Sequence, residues 1–435
     1  MADTAIAAPL LRTAPVDLRV ERAKPVAGRF AVLCIQLALL LVVFKVYKLE
    51  EPRFFLLACL MFGGFAVSFW LPLRFKETFL ILLSLAGAFL LLSPLVAGLL
   101  VAVGLLVFGI VRSPLSFRGK VLLLLGILAV ATFGRSTGRL PVPREFWPVL
   151  GSVFLFRMVV YMYDLGHTTG APPLKDYLSY FFLIPNYYFL MFPVIDFQTF
   201  RKSFFKRDIH TVAQKGIWWI FRGTTHLLLY RLIYQAQGRF SPPHVSVPMA
   251  VAAKAAFIYL LYLRISGQFH IITGMLALFG YDLPETNRYY LLARSVNDLW
   301  RRNNIYWKDF MVKIVYFPAY FRMRRQGERR AQLLATALVF AVTWFLHAVQ
   351  FFWLQGKFLI TLNDTVFWMI LGSMVVADVW IAAVRRKRLP RTGWLPTLQR
   401  AVQIAATFAF MSLLWSMWSA NSMSEWFLFL KTGNV

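Results

Sequence analysis

The 435-residue chain has only two cysteines, Cys34 and Cys59, and both lie in apolar runs. A thiol in such surroundings usually behaves as a small hydrophobic side chain. Two cysteines without the spacing of metal ligands exclude a disulfide framework and a thiolate zinc site. The six histidines include no pair with zinc-ligand spacing beside a carboxylate, so we expect no bound metal.

Acidic residues are also scarce: 19 Asp and Glu stand against 47 Lys and Arg, which gives a net charge of +28. In a soluble protein this excess would suggest nucleic acid as the partner. Here the basic residues cluster between apolar runs, as the positive-inside rule produces, and no soluble basic module is present. We therefore expect no nucleic-acid partner, and we assign the basic segment Phe200–Lys215 to the cytoplasmic side.

Long apolar runs dominate what remains, since 59% of the residues are hydrophobic. Several runs reach about 18 residues, enough for a helix to cross roughly 30 Å of hydrocarbon. The sequence predicts an all-α, polytopic transmembrane protein with about ten to twelve membrane segments, some of them re-entrant or interfacial.

Two apolar runs contain helix breakers. Phe79–Val111 is long enough for two spans, with a break near Ser93-Pro94, and Tyr177–Ile195 is interrupted by prolines. Because a proline frees a carbonyl that neighbouring groups must satisfy, we expect the second run to be bent or re-entrant. Arg294–Arg330 is too polar to span, and its aromatics interleaved with cations favour helices at the headgroup level.

One histidine, His347, lies inside the apolar run Ala331–Leu354. Ionisable groups inside a bilayer are costly and usually functional. A neutral imidazole can take a proton and hand it on, which makes His347 a candidate catalytic base. Asn304 cannot act as a base but can donate an amide hydrogen bond to an oxyanion or orient a substrate. The alternatives are a buried histidine bonded to a backbone carbonyl and an asparagine that caps a helix.

A series of short motifs surrounds these two residues. Between residues 266 and 318 they read Ser266-Gly267, Gly280-Tyr281-Asp282-Leu283-Pro284-Glu285, Leu299-Trp300-Arg301-Arg302-Asn303-Asn304 and Tyr316-Phe317-Pro318. Outside that window stand Tyr161-Met162-Tyr163-Asp164, Phe192-Pro193 and Thr343-Trp344-Phe345-Leu346-His347. Their order resembles the membrane-bound O-acyltransferase family, most closely the bacterial branch that acetylates alginate and transfers D-alanine to teichoic acids. Asn304 stands where that branch has histidine.

The chain is expected to have four segments: a disordered basic cytoplasmic tail (1–29), N-terminal transmembrane helices (30–145), a catalytic core (146–355) and C-terminal transmembrane helices (356–435). The charges and apolar runs indicate the tail and the flanking helices, and the resemblance implies the core. No cleavable signal peptide is expected, because residues 1–29 have no sustained apolar core. The N-terminus would be cytoplasmic, and the membrane the bacterial inner membrane.

The resemblance also implies the reaction. An acyl group, short-chain such as acetyl, would pass from a thioester to a hydroxyl of a lipid, glycan or carrier. His347 would act as the base with the help of Asn304, and substrate or donor would be held by Trp300, Arg301, Arg302 and Trp344. No tightly bound cofactor is expected; the acyl-coenzyme A or phosphopantetheine thioester is a co-substrate. Besides the bilayer, an accessory acyl-transfer protein is a candidate partner.

Two other readings stay open. A transporter or channel could use His347 in a polar pathway, and it would need further ionisable residues along its spans. A non-catalytic scaffold could keep the fold alone.

Overall fold

Helices make up nearly all of the regular structure in a computed structural model of the chain, which describes residues 16–168, 170, 172–239, 246–384 and 394–433. The first ten helices are α1 (Val16–Arg22), α2 (Ala27–Val46), α3 (Pro52–Trp70), α4 (Leu73–Leu91), α5 (Pro94–Arg112), α6 (Phe117–Thr137), α7 (Phe146–Leu165), α8 (Leu174–Phe181), α9 (Pro185–Tyr188) and α10 (Phe197–Ser203). The other ten are α11 (Ile209–Arg239), α12 (Val247–Leu260), α13 (Leu263–Leu278), α14 (Val296–Arg302), α15 (Ile305–Met311), α16 (Phe317–Met323), α17 (Glu328–Gln355), α18 (Leu362–Val384), α19 (Trp394–Ser419) and α20 (Met423–Thr432).

Nine candidate membrane spans are long and apolar enough to cross a bilayer within the described residues. A helix satisfies its own backbone groups, which is why an apolar run of this length folds this way in lipid. The prediction of an all-α, polytopic membrane protein is thus confirmed. Helix α1 lies inside the 1–29 segment for which disorder was predicted, and residues 1–15 lie outside the described part.

The two breaks predicted in apolar runs are present. Ser93 caps α5 by accepting a hydrogen bond from the backbone N–H of Val96 at 3.4 Å, and Pro94 begins that helix. The run from residue 177 to 195 breaks into the end of α8, the single turn of α9 and irregular chain. Arg157 on α7 donates to the carbonyl oxygens of Tyr180 and Phe181, at 2.8 and 3.2 Å. This buried guanidinium supplies the partners that the freed carbonyls require.

Residues 294–327 contain no candidate membrane span among the described residues, in line with the prediction that this polar segment does not cross the membrane. After α14, the chain is continuously helical through α15, the π-helical turn Val312–Tyr316 and α16. Their position at the headgroup level stays a prediction.

The chain packs as two compact units, Met1–Phe221 with Ile271–Pro284 and Arg222–His270 with Glu285–Val435. In the first unit, α3 packs against α2 and α4. In the second, α17 packs against α18 and α12 against α19. All the predicted site residues belong to the second unit.

Candidate functional site

His347 projects from α17 into an aromatic box. Its ring centroid lies 5.2 Å from that of Trp368, 5.6 Å from that of Trp418 and 5.7 Å from that of Phe351. The Nδ1 atom of His347 is buried and has no hydrogen-bond partner among the described residues. Behind the box, the indole N–H of Trp418 donates to Asp364 at 2.5 Å. A buried nitrogen without a hydrogen-bond partner costs free energy. A ligand that donates a hydrogen bond to Nδ1 of His347 would remove that cost.

A groove between α17 and α18 borders this box. It encloses about 790 Å³ and is lined almost entirely by apolar side chains, including Trp344 and Trp368. The indole nitrogen of Trp344 is buried without a hydrogen-bond partner. The volume and lining suit an apolar chain.

Asn304 is the N-cap of α15. Its Oδ1 accepts a hydrogen bond from the backbone N–H of Trp307 at 3.3 Å, and its backbone is left-handed with φ 41°. Asparagine tolerates this conformation better than most residues do. The capping alternative is therefore present in the structure, while Nδ2 makes no hydrogen bond within the described residues and stays free to donate.

No hydrogen bond or ring contact joins Asn304 to His347 among the described residues. The ring of Trp300, four residues before Asn304, lies 4.7 Å from that of Phe340. Phe340 precedes His347 by seven residues on α17, a rise of about 10 Å. A group that touches both His347 and the α14–α15 segment would have to extend over a distance of that order.

The two arginines beside Trp300 differ in their surroundings. Arg302 donates from Nε to Asp298 at 2.7 Å and is committed to that ion pair. Arg301 is exposed and forms no ion pair or hydrogen bond among the described residues. Of the two predicted donor-binding cations, Arg301 is thus the one whose charge is unpaired.

The structure also brings together a polar cluster that motif reasoning missed. His226 on α11 and His270 on α13 face each other, with ring centroids 5.5 Å apart. The hydroxyl of Ser266 lies 3.0 Å from Nδ1 of His226 and 3.1 Å from the hydroxyl of Tyr290. Tyr290 can donate to Ser266, which can donate in turn to His226, so the three groups form a continuous hydrogen-bonded chain.

Glu285 completes this cluster. Its carboxylate accepts from Arg222, and it lies 3.8 Å from Nε2 of His270. The Nδ1–H of His270 donates to the carbonyl oxygen of Ser266 at 2.6 Å. Burial opposes ionisation of Glu285, but the nearby imidazole of His270 and the charge of Arg222 outweigh it, so the pKa of Glu285 lies below its usual value. Burial lowers the pKa of His226 to about 4, and the neighbouring His270 and Arg222 add to that effect.

Close approach of α11 and α13 makes the cluster possible. A Cβ on Gly267 would lie 2.8 Å from the carbonyl oxygen of Gly223 and 3.1 Å from Cβ of His226, so only glycine fits there. The sequence indicates which residues share a helix face. Arg222 and His226 have i, i+4 spacing, as do Ser266 and His270, so each pair lies on one face of its own helix.

The loop that carries Glu285 also contacts Asn304. The backbone N–H of Ile305 donates to the carbonyl oxygen of Thr286 at 2.8 Å. The side-chain oxygen of Asn287 accepts from the backbone N–H of Asn304 at 3.1 Å when its amide is oriented to satisfy its neighbours. The polar cluster and Asn304 are therefore connected through one segment of backbone.

No three His, Cys, Asp or Glu side chains are arranged to hold a metal ion in the part of the chain that the structure describes. The chain matches no protein-family model and no curated protein.

Proposed function

We propose that this chain is a membrane-bound O-acyltransferase that moves an acyl group from a thioester to a hydroxyl. The observation that carries the proposal is the buried, unpartnered Nδ1 of His347 in an aromatic box that shares Trp368 with an apolar groove of about 790 Å³. The motif resemblance supports the same reaction independently. The acceptor class is a membrane-borne lipid, glycan or carrier, and no tightly bound cofactor takes part.

In this reaction the neutral imidazole of His347 takes the proton of the acceptor hydroxyl as its oxygen attacks the thioester carbonyl. The carbon–sulfur bond breaks, the thiolate leaves, and the proton passes from the imidazole to the thiolate, so that protons and electrons balance. Nδ2 of Asn304 is too far from His347 to serve the same reacting carbonyl, and it positions the acyl donor through an amide hydrogen bond to a more distant part of that molecule. The aromatic box keeps His347 neutral, because burial disfavours the charged imidazolium.

The orientation belongs to the same proposal. Arg22 at the end of α1 donates to the carbonyl oxygen of Lys206 at 2.7 Å, so the N-terminal helix lies against the basic segment 200–215. The positive-inside rule assigns that face to the cytoplasm of a bacterial inner membrane, where an acyl-coenzyme A or carrier-protein donor is present.

The decisive experiment replaces His347 by alanine in the purified full chain in lipid nanodiscs. Radiolabelled acetyl- and palmitoyl-coenzyme A serve as donors and a total membrane extract as acceptor. Since general base catalysis contributes about 10²–10⁴-fold, we expect transfer of label and release of thiol to fall by at least about 100-fold. The matched control is His167→Ala, which removes an exposed histidine from the loop after α7. Equal turnover in the His347→Ala variant and the control would refute the catalytic role.

A transporter remains the second candidate because of the polar cluster. Arg222, His226, His270 and Glu285 lie together on helices and an adjoining loop, as a proton pathway requires. Proteoliposomes with a pH-sensitive dye separate the two functions. Proton uptake that is lost in His270→Ala, without acyl transfer by the parent protein, would favour transport.

A further inference from the structure

A second cavity lies in the first unit, between the start of α2 and the start of α11. This α2–α11 cleft encloses about 780 Å³ and opens to the surface. Its lining includes Arg29, Val32 and Leu33 from α2 and His210, Lys215 and Trp218 from α11. None of these residues has a part in the proposed acyl transfer.

The polar end of the cleft carries an excess of positive charge. Arg29 is exposed and forms no ion pair or hydrogen bond among the described residues. Lys215 and Arg207 share one carboxylate, Asp282, at 2.7 and 2.6 Å. The other nearby carboxylate, Asp208, accepts from the backbone N–H and the hydroxyl of Thr211 as a helix cap. The three cations Arg29, Lys215 and Arg207 thus exceed the two carboxylates by one positive charge. Arg29 is the cation of the three that has no ion-pair partner in the described part of the chain.

His210 supplies an observation that points to a ligand. Its side chain is buried, with 6% of the residue exposed, and neither ring nitrogen has a hydrogen-bond partner among the described residues. Burial lowers its pKa, Asp208 and the backbone of Lys24 oppose the shift, and Arg29 adds to it. A buried imidazole normally uses both nitrogens, and the backbone of Lys24 approaches this ring without reaching hydrogen-bond geometry, so an acceptor for the N–H of His210 is still missing among the described residues. The oxygen of an anionic group in the cleft would be that acceptor.

The other end of the cleft is apolar. Val32 and Trp218 are 53% and 57% exposed although both are large hydrophobic residues. Arg29 is the third residue of the candidate span Ala27–Val46, so the polar end lies where that span begins. An amphipathic tryptophan and an arginine at the end of a span are typical of the membrane–water boundary.

We propose that the α2–α11 cleft binds an anionic phospholipid of the surrounding bilayer. Its phosphate contacts Arg29 and the ring N–H of His210, and its acyl chain lies along Val32, Leu33 and Trp218. A zwitterionic headgroup carries a compensating cation that the excess positive charge disfavours. This site is independent of the acyltransferase proposal, since it uses no residue of the catalytic scheme.

The test is native mass spectrometry of the purified full chain after incubation with equal amounts of phosphatidylglycerol and phosphatidylcholine. We expect preferential retention of phosphatidylglycerol by the parent protein and about fivefold weaker retention in Arg29→Gln, which removes one cation near the membrane surface. The matched control is Arg53→Gln, which removes an exposed arginine from the first turn of α3 and should bind like the parent. Both substituted side chains are exposed, so folding is not at issue.

Two results would overturn the assignment. Equal retention in Arg29→Gln and Arg53→Gln would show that the lipid binds elsewhere or without selectivity. Displacement of phosphatidylglycerol by soluble coenzyme A, with the displacement lost in Arg29→Gln, would assign the phosphate site to a soluble donor instead of a lipid.

Discussion

The side chain of Asn304 has two atoms with separate roles. Oδ1 caps α15 by accepting from the backbone N–H of Trp307, whereas Nδ2 makes no hydrogen bond among the described residues. Aspartate caps a helix as well as asparagine does but has no amide donor. We therefore expect Asn304→Asp to leave the melting temperature unchanged and to lower acyl transfer by about fivefold, since one hydrogen bond that positions a substrate contributes about 1 kcal/mol.

The control for this prediction is Asn304→Gly. Glycine accepts the left-handed φ of 41° and replaces an asparagine cap at a cost of only a few tenths of a kcal/mol, but it offers no amide, so transfer should fall while stability changes little. Thermal unfolding and thiol release measured on the same preparations separate the two effects. Acyl transfer by Asn304→Asp at the rate of the parent protein would show that Asn304 caps α15 and has no role in the reaction.

Single residues also show where sequence reasoning stops. The apolar surroundings of His347 along α17 were readable from the sequence, because its neighbours there lie on the same helix. His226 and Ser266, by contrast, are 40 positions apart, and their 3.0 Å contact depends on how α11 and α13 pack. One sequence contains no signal for that pairing, so the histidines looked solitary.

At the level of helices, periodicity and the length of the apolar runs predicted most elements. Helix α4 shows why the predicted bounds of some helices were wrong. The predicted run begins at Phe79, but the helix begins at Leu73 and includes Lys76 and Glu77, both buried. Lys76 donates to the carbonyl oxygen of Phe69 at 2.8 Å, and Glu77 pairs with Arg201. These partners lie outside α4 and cannot be read from its sequence. Lys76 and Glu77 therefore lie outside the predicted apolar run.

Packing of α11 against α13 gives a prediction for a pair of glycines. Gly267→Ala would push a Cβ into the carbonyl oxygen of Gly223, and we expect overpacking to cost about 1–3 kcal/mol of unfolding free energy. Gly63→Ala, in the interior of α3, meets no atom within 4 Å and should be neutral or slightly stabilising. Thermal unfolding of both variants in one detergent provides the comparison. Equal melting temperatures would show that α11 and α13 do not approach this closely.

On the scale of the whole molecule, the charge excess of +28 serves topology only in part. In the basic segment 200–215, Arg201 pairs with Asp176 at 2.7 Å, and Arg207 and Lys215 pair with Asp282. The positive-inside pattern could be read from the sequence, but not which cations are neutralised within the fold. Arg29 and Arg301 are among the cations that form no ion pair within the described residues, so their charges are available to attract anions.

Stability should depend on pH in a window set by His226. Its folded pKa of about 4 lies below the ordinary value of 6.5, so the unfolded chain binds more protons between these two values. The unfolding free energy is then unaffected above pH 6.5 and falls as the pH drops from 6.5 to 4. Each pKa unit is worth about 1.4 kcal/mol, and partial solvent access at this half-buried ring reduces the total loss to about 1–3 kcal/mol. Glu285 and Asp282, whose pKa values are lowered, add a further loss only below their ordinary values of 4.5 and 3.8.

His226→Gln removes this titration and keeps a polar partner for Ser266, so its melting temperature should change less than that of the parent between pH 6.5 and 4.5. His167→Gln, at an exposed position, should follow the parent curve. Tryptophan fluorescence during heating at closely spaced pH values gives both profiles. Parallel curves for His226→Gln and the parent would mean that His226 is not held neutral by its surroundings. The polar cluster would then be solvated, and a hydrogen-bonded chain through Ser266 could not act as a closed pathway for protons.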